Sequence, residues 1–466
     1  MPFRIVALLA FFLPACAFAE DADLIIKNGI VVTMDGDARL IEDGVVVVTG
    51  PDITAVGGAE LLETHTAPKV IDAAGGIVMP GMINLHTHNS MVAFRGLGEY
   101  AVESILFDVM FPLEKALLDR ELIRVAARQA AIELALAGVT TFADMYYHED
   151  EVARATKEVG LRGVLGETVI GFPVVDAPEP YGGLAYAEEF IKAFKDDPLI
   201  TPAVAPHAAY TVEKEPLLAA KALAERYDVP LLMHLVEFAG EKEMTRERHP
   251  EMTADQSTIQ YLDHIGFLGP RLTAAHVIYL DQADIDILAA RKVGIAHNPG
   301  SNAKGGMGFS PAWEMYSRGL SIGLGTDGPM SSNRLDVMTL MAGAAGYARQ
   351  RLADAKPFTP FELVDMATTG GARALHMADR IGSLEPGKRA DLVIIDTSTP
   401  NMQPLYDVYA AIAFQAYPAD VQTTIVHGAL VVEDRRIVQA DMAAHAEEWK
   451  KVTDRVREFW FTEKLN

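Results

Sequence analysis

Cysteine is almost missing from this chain: Cys16 is the only one in 466 residues. If the first nineteen residues are removed none is left, and disulfides, thiolate metal sites and cysteine nucleophiles are then excluded. The zinc deaminases that hold their metal with one His and two Cys go with them. Any metal here must be held by His and carboxylate. Basic charge is also scarce, with 40 Lys and Arg against 64 Asp and Glu and a net charge of −24. There is no basic run and no interleaving of basic with aromatic residues, so nucleic acid is not an expected partner. A Gly-rich dinucleotide loop is missing too. Gly305-Gly306-Met307-Gly308 lacks the spacing of a phosphate cradle and reads as a flexible loop.

The first nineteen residues differ from the rest. Arg4 is their only charge, Ile5 to Leu13 are apolar, Pro14 breaks the run, and Ala17-Phe18-Ala19 has the small-x-small pattern of a cleavage site. The run is shorter than the roughly 20 residues a membrane-spanning helix needs, so residues 1–19 are expected to be a signal peptide. An exported protein, periplasmic or secreted and without a stable transmembrane segment, follows. Leu13-Pro14-Ala15-Cys16 also fits a lipoprotein signal, which would leave the chain anchored through an acylated Cys16.

What is present is hydrophobic pattern. Half of the residues are apolar, enough for a barrel-sized domain and a smaller one. Short β-branched runs bounded by Gly and Asn fill residues 23–79 and return after residue 380. Residues 20–79 and 381–440 therefore form one discontinuous β-sandwich domain built from both chain ends. Between them, in residues 80–380, apolar runs alternate with amphipathic stretches. The runs are Ile77–Leu85, Val139–Met145, Gly163–Ile170, Ile200–Pro206, Pro230–Leu235, Leu272–Val277, Gly294–Asn298 and Ser321–Thr326. Eight strands separated by helices predict an α/β fold, a (β/α)8 TIM barrel. Glu121 to Ala137 is the clearest helix, with Asp119 as N-cap and Gly138 to stop it. Glu362 to Met377 reads as another, and residues 441–466 as a C-terminal helix docked by Trp449, Phe459 and Trp460.

The polar residues that stand out follow these runs. His86-Thr87-His88 follows the first, and strand alternation puts both imidazoles on one side. His207 closes the fourth and His234 the fifth, with Glu237 three residues on. His276 closes the sixth and Asp327 the eighth. In a barrel these ends converge on one face. Singly, each has an ordinary reading: a strand-end His is usually a satisfied structural group, as His148, His249, His264, His376 and His445 are expected to be, and Asp before Gly is usually a turn former. Together, three His and one Asp are the nitrogen and oxygen donors that Zn²⁺ accepts.

The run Val78-Met79-Pro80-Gly81-Met82-Ile83-Asn84-Leu85-His86-Thr87-His88 resembles the opening motif of the amidohydrolase superfamily. So do His234-Leu235-Val236-Glu237, Ala275-His276, His297-Asn298-Pro299 with Ser301-Asn302, Leu324-Gly325-Thr326-Asp327-Gly328, and the closing run from Gly382 to Val393. The branch most similar holds methylthioadenosine/S-adenosylhomocysteine deaminases and triazine hydrolases. The resemblance implies one divalent metal ion, Zn²⁺ first and Fe²⁺ as the alternative, held by His86, His88, His234 and Asp327. Two-metal members use a lysine on the fourth strand; Val204-Ala205-Pro206-His207 has none. Bound Zn²⁺ brings the pKa of its water to about 7. Glu237 would protonate a ring nitrogen, His276 would orient the nucleophile, and Asp327 would pass its proton to the leaving amine. The expected reaction is hydrolytic deamination of a small heterocycle: an adenosine-like nucleoside, a purine or a pterin.

Substrate contacts are expected from Glu114, His207, His276 and Glu237. Glu114 matches a ribose-binding carboxylate of the branch and equally reads as an exposed carboxylate at a helix start. Two positions that carry carboxylate-binding arginines in the branch hold Glu167 and Leu184, an acidic and an apolar residue, which points to a neutral or cationic substrate. Hydrolysis of another bond, such as ring C–Cl or an amide, and a non-catalytic metal-binding role are the alternatives. Large barrels of this kind often dimerise, which leaves a homodimer open.

Overall fold

Eight parallel strands follow one another in chain order around a barrel: Met82–Thr87, Val139–Tyr146, Arg162–Val169, Ile200–Pro206, Leu231–Leu235, Leu272–His276, Gly294–His297 and Ile322–Leu324. They belong to a computed structural model that describes residues 20–100, 105–353 and 357–464. The expected signal peptide and Cys16 lie outside the described residues. Helices between the strands cover the barrel, as expected of a (β/α)8 fold. Asn84 joins the first strand to the eighth: its Nδ2 donates to Thr326 Oγ1 at 2.7 Å, and its Oδ1 accepts from the Thr326 N–H at 3.0 Å.

A second sheet comes from both chain ends. Its nine strands, among the described residues, include Leu24–Val32, Leu40–Thr49, Asp52–Gly57 and Ile77–Pro80 from the first part, and Leu392–Ile395 and Val421–Val426 from the last. The ends meet where Ile77–Pro80 pairs antiparallel with Leu392–Ile395. Ile26, Val46 and Ile53 of this one sheet share a core with Leu392, Ile394 and Ile425. Arg162, on the third barrel strand, makes a buried two-pronged ion pair with Asp391 of this domain at 2.9 and 3.2 Å.

Two expectations are corrected. Ile77–Leu85 is not one strand. Ile77–Pro80 belongs to the end-built sheet and Met82–Thr87 to the barrel, with Gly81 between them. A Cβ at Gly81 would stand 2.1 Å from Thr140 Cγ2, so only glycine lets the chain cross at this point. Glu362–Met377 is not one helix either: Pro360–Ala367 and Thr369–Ala374 are separated at Thr368, whose backbone leaves helical geometry. The helix after Asp119 runs Arg120–Leu136, with the Asp119 carboxylate accepting the Leu122 N–H. The last long helix, Met442–Phe459, buries Trp460 just past its end, with Trp449 and Phe459 packed on the core. No helix among the described residues is long and apolar enough to cross a membrane.

Candidate active site at the mouth of the barrel

Strand alternation carries His86 and His88 to the same side, their ring centroids 4.9 Å apart. His234, from the end of the fifth strand, comes within 3.2 Å of His88, Nε2 to Nε2. Asp327, just past the eighth strand, places Oδ1 3.3 Å from His88 Nε2 and 3.6 Å from His86 Nε2. One donor atom each from His86, His88 and Asp327 lies within 4.8 Å of the others, and so do those of His86, His234 and His276. All five residues are buried.

The imidazoles are aimed by their second nitrogens. His88 Nδ1–H donates to the Met145 carbonyl at 2.6 Å, and His234 Nδ1–H to the His207 carbonyl at 2.9 Å. Each Nε2 lone pair is thereby turned to the centre, the arrangement metal-ligating histidines use. His86 Nε2 is buried there with no hydrogen-bond partner. Burial holds His86 down to about 4 and His234 well below its ordinary value, so both are neutral ligands at pH 7. Burial opposes ionisation of Asp327, but its contacts with His86 and His88 hold its carboxyl well below the usual range. Against burial, the contact with Asp327 raises His88 to about 8, so a cation bound there would displace its proton. Neutral His86 and His234, with His88 and a charged oxygen, converge on an unpartnered atom and fit a divalent cation. The fourth barrel strand, Ile200–Pro206, carries no lysine.

Glu237 and His276 stand beside it. Glu237 Oε1 is 3.6 Å from His276 Nε2, and Glu237, His276 and Asp327 offer donor atoms within 4.8 Å of one another. His276 Nδ1 is 2.9 Å from Asn302 Oδ1, an acceptor, so Nδ1 carries the proton and Nε2 faces the cluster as an acceptor. Burial pushes the Glu237 carboxyl above its ordinary value, while His276 pulls the other way. A carboxyl whose pKa is raised by its surroundings is what a general acid near neutral pH requires. Val236, His276, Val277 and Asp327 all have φ between +47° and +71°, left-handed backbone that valine adopts only under constraint. The strain sits at the ends of the fifth, sixth and eighth strands, three of the four that carry the chemistry.

A cavity of about 640 Å³ opens over this cluster, lined among others by Glu114, His207, Glu237, His276 and Asp327. Glu114 is no exposed helix-start carboxylate. It is buried on the helix Phe111–Leu117 and accepts the Tyr146 hydroxyl at 2.7 Å. Burial raises it to about 7 against that hydrogen bond. His207 lines the cavity with Nδ1 2.9 Å from Thr211 Oγ1. Gly305 and Gly306 also line it. The expectation that Glu167 and Leu184 face the substrate in place of carboxylate-binding arginines is not met. Glu167 is fully buried on the outer side of its strand and accepts the Glu149 N–H, while Thr168 faces the cavity. Leu184 packs on the core behind the barrel. One residue along a strand reverses the side chain, which is why the position misled.

Sequence reasoning missed Glu241, Tyr146 and the role of Asn302. None follows an apolar run directly except Tyr146, and an aromatic there reads as core. His249 and His445 are structural as expected, bonded to Ala209 and Tyr261 and to Gln129.

A model of the amidohydrolase family matches residues 77–431, most of the chain. This protein belongs to the amidohydrolase family. Among curated relatives, a 5-methylthioadenosine/S-adenosylhomocysteine deaminase of Syntrophobacter fumaroxidans is 38% identical over 90% of this amidohydrolase and 94% of its own length. Among solved structures, a zinc-bound adenosine deaminase from Xanthomonas campestris superposes with TM-score 0.90 at 32% identity, covering 94% of this chain and all of that one. A zinc-complexed atrazine chlorohydrolase from Arthrobacter aurescens shares the fold, with TM-score 0.85 at 23% identity over 92% of this chain and 100% of its own.

Proposed function

We propose that this amidohydrolase is a mononuclear-metal deaminase that replaces an exocyclic amine of an adenosine-like heterocycle with oxygen from water. The observation that carries the reading is a carboxyl raised by burial, Glu237, beside a His–Asp donor cluster. His86, His88, His234 and Asp327 would hold one divalent ion, zinc before iron, as the zinc-bound adenosine deaminase supports. That ion supplies Lewis acidity and a nucleophile drawn from water at neutral pH.

The chain's own groups do the rest. Glu237 holds a proton at its carboxyl and delivers it to the ring nitrogen beside the reacting carbon, which makes that carbon electrophilic. His276 accepts at Nε2 and orients the attacking water. Asp327 takes the first proton that water loses and passes it to the amine, and the second returns to Glu237, so a carbon–oxygen bond forms, the carbon–nitrogen bond breaks and ammonia leaves. Glu114 and His207 contact the sugar. Ammonia release from a panel of aminopurines, aminopterins and adenosine derivatives tests the reading. Chloride or carboxylate release without ammonia would replace it, and zinc binding with no turnover of any kind would leave only a metal-binding protein. Export, by signal peptide or lipid anchor at Cys16, and a homodimer complete the proposal; nucleic acid has no place in it.

A further inference from the structure

The cavity volume, about 640 Å³, is in the range that houses a drug-sized ligand rather than a bare ring. Beyond the His–Asp cluster its wall includes apolar Ile105, Met110, Phe111, Phe238 and Met244. Lys304 is the single Lys or Arg among the described residues that line it, and residues 100–104 add none in sequence. That cation is already engaged. Its Nζ lies 2.6 Å from Glu99 Oε1 and donates to the Met330 carbonyl at 3.1 Å. Asn333 Nδ2 donates to the same Glu99 oxygen at 2.7 Å. These bonds tie together the segments after the first, seventh and eighth barrel strands. Glu99 is half-exposed and Lys304 a quarter exposed, so the pair sits where the cavity meets solvent. Glu114, Glu237 and Asp327 line the same space. A carboxylate entering it would meet a lysine already neutralised by Glu99 and no other lysine or arginine among the described lining residues.

We infer that Glu99 is a specificity-determining residue: by holding Lys304 it denies the cavity its cation, and the enzyme selects heterocycles with an uncharged tail over those whose tail ends in a carboxylate. The inference rests on the deaminase reading and adds the residue that sets the substrate class. The effect is one of selection at the rim; it leaves the chemistry at Glu237 untouched.

The test uses two adenosine derivatives identical except at the end of a 5′-thioether tail, a propionamide and a propionate. Ammonia release is followed with the metal-loaded enzyme, Glu99→Gln and Lys304→Met, and the ratio of kcat/KM for amide over carboxylate is read. Any loss common to both compounds cancels in that ratio. The unaltered enzyme should prefer the amide by roughly tenfold or more. Glu99→Gln frees the Lys304 charge and should lower the ratio roughly threefold to fivefold, while Lys304→Met leaves the Glu99 charge without its cation and should raise it. Equal use of both tails by the unaltered enzyme, or variants that shift the ratio in the same direction or not at all, overturns the inference alone. No ammonia from either compound overturns the deaminase reading and the inference with it.

Discussion

Glu241 grips the turn that presents Glu237. One carboxylate oxygen accepts the Glu237 N–H at 2.6 Å and the other the Val236 N–H at 2.8 Å. Glu241 is buried, and Val236 between strand and acid is held at φ +47°. In Glu241→Gln one of the two N–H groups would face an amide NH₂ and lose its acceptor. We expect kcat to fall roughly 10- to 100-fold with metal content unchanged. Retained kcat would show that the turn holds itself.

Glu237 gives the pH dependence its sign. Burial raises its carboxyl, and the acid acts only when protonated. The rate should therefore fall as pH rises through that raised value. Glu237→Gln should cost about 10² to 10⁴ in kcat/KM and erase this limb, with the metal still bound. A variant that keeps full activity would remove Glu237 from proton transfer.

Chelation should abolish turnover and lower the melting temperature by a few degrees, because a ligand bound only to the folded state stabilises it. Zn²⁺ added back should restore both. Asp327→Asn, which removes both a cluster oxygen and a proton acceptor, should lose turnover and weaken metal retention; elemental analysis of the dialysed protein reads the second effect.

Tyr146 tunes Glu114. Its hydroxyl lowers a carboxyl that burial raises to about 7. Without that bond the carboxyl rises further and a smaller fraction is ionised at neutral pH. Tyr146→Phe should raise KM for ribose-bearing substrates, most below pH 7, with kcat little changed. An unaltered KM across the pH range would separate Glu114 from the sugar.

Residues 1–19, or residues 1–15 where Cys16 is acylated, should be absent from the exported protein. N-terminal sequencing beginning at Glu20, or a lipid-modified Cys16 in the membrane fraction, distinguishes the two processing routes. An intact Met1 in the cytoplasmic fraction excludes both.

Much of this protein is legible in the linear order of residues, because periodicity and chain polarity are local properties. Apolar runs spaced by amphipathic stretches specify strands and helices, and a polar residue at a run's end is carried to the barrel mouth. His86, His88, His234, His276 and Asp327 could be found in this way. The near-absence of cysteine narrowed the ligand chemistry before any coordinate was known. Other features needed the folded chain. Glu167 and Thr168 differ by one position, and only the pleat decides which meets the cavity. The run Ile77–Leu85 divides because its halves pair with Leu392–Ile395 and with Val139–Tyr146, and Thr140 leaves room only for Gly81 between them. The tautomer of His276, the grip of Glu241 and the meeting of Glu99 with Lys304 all depend on loops brought together when the barrel closes. Alternation assigns a side chain to a face, but its neighbour there comes from another strand, and that pairing exists only in three dimensions.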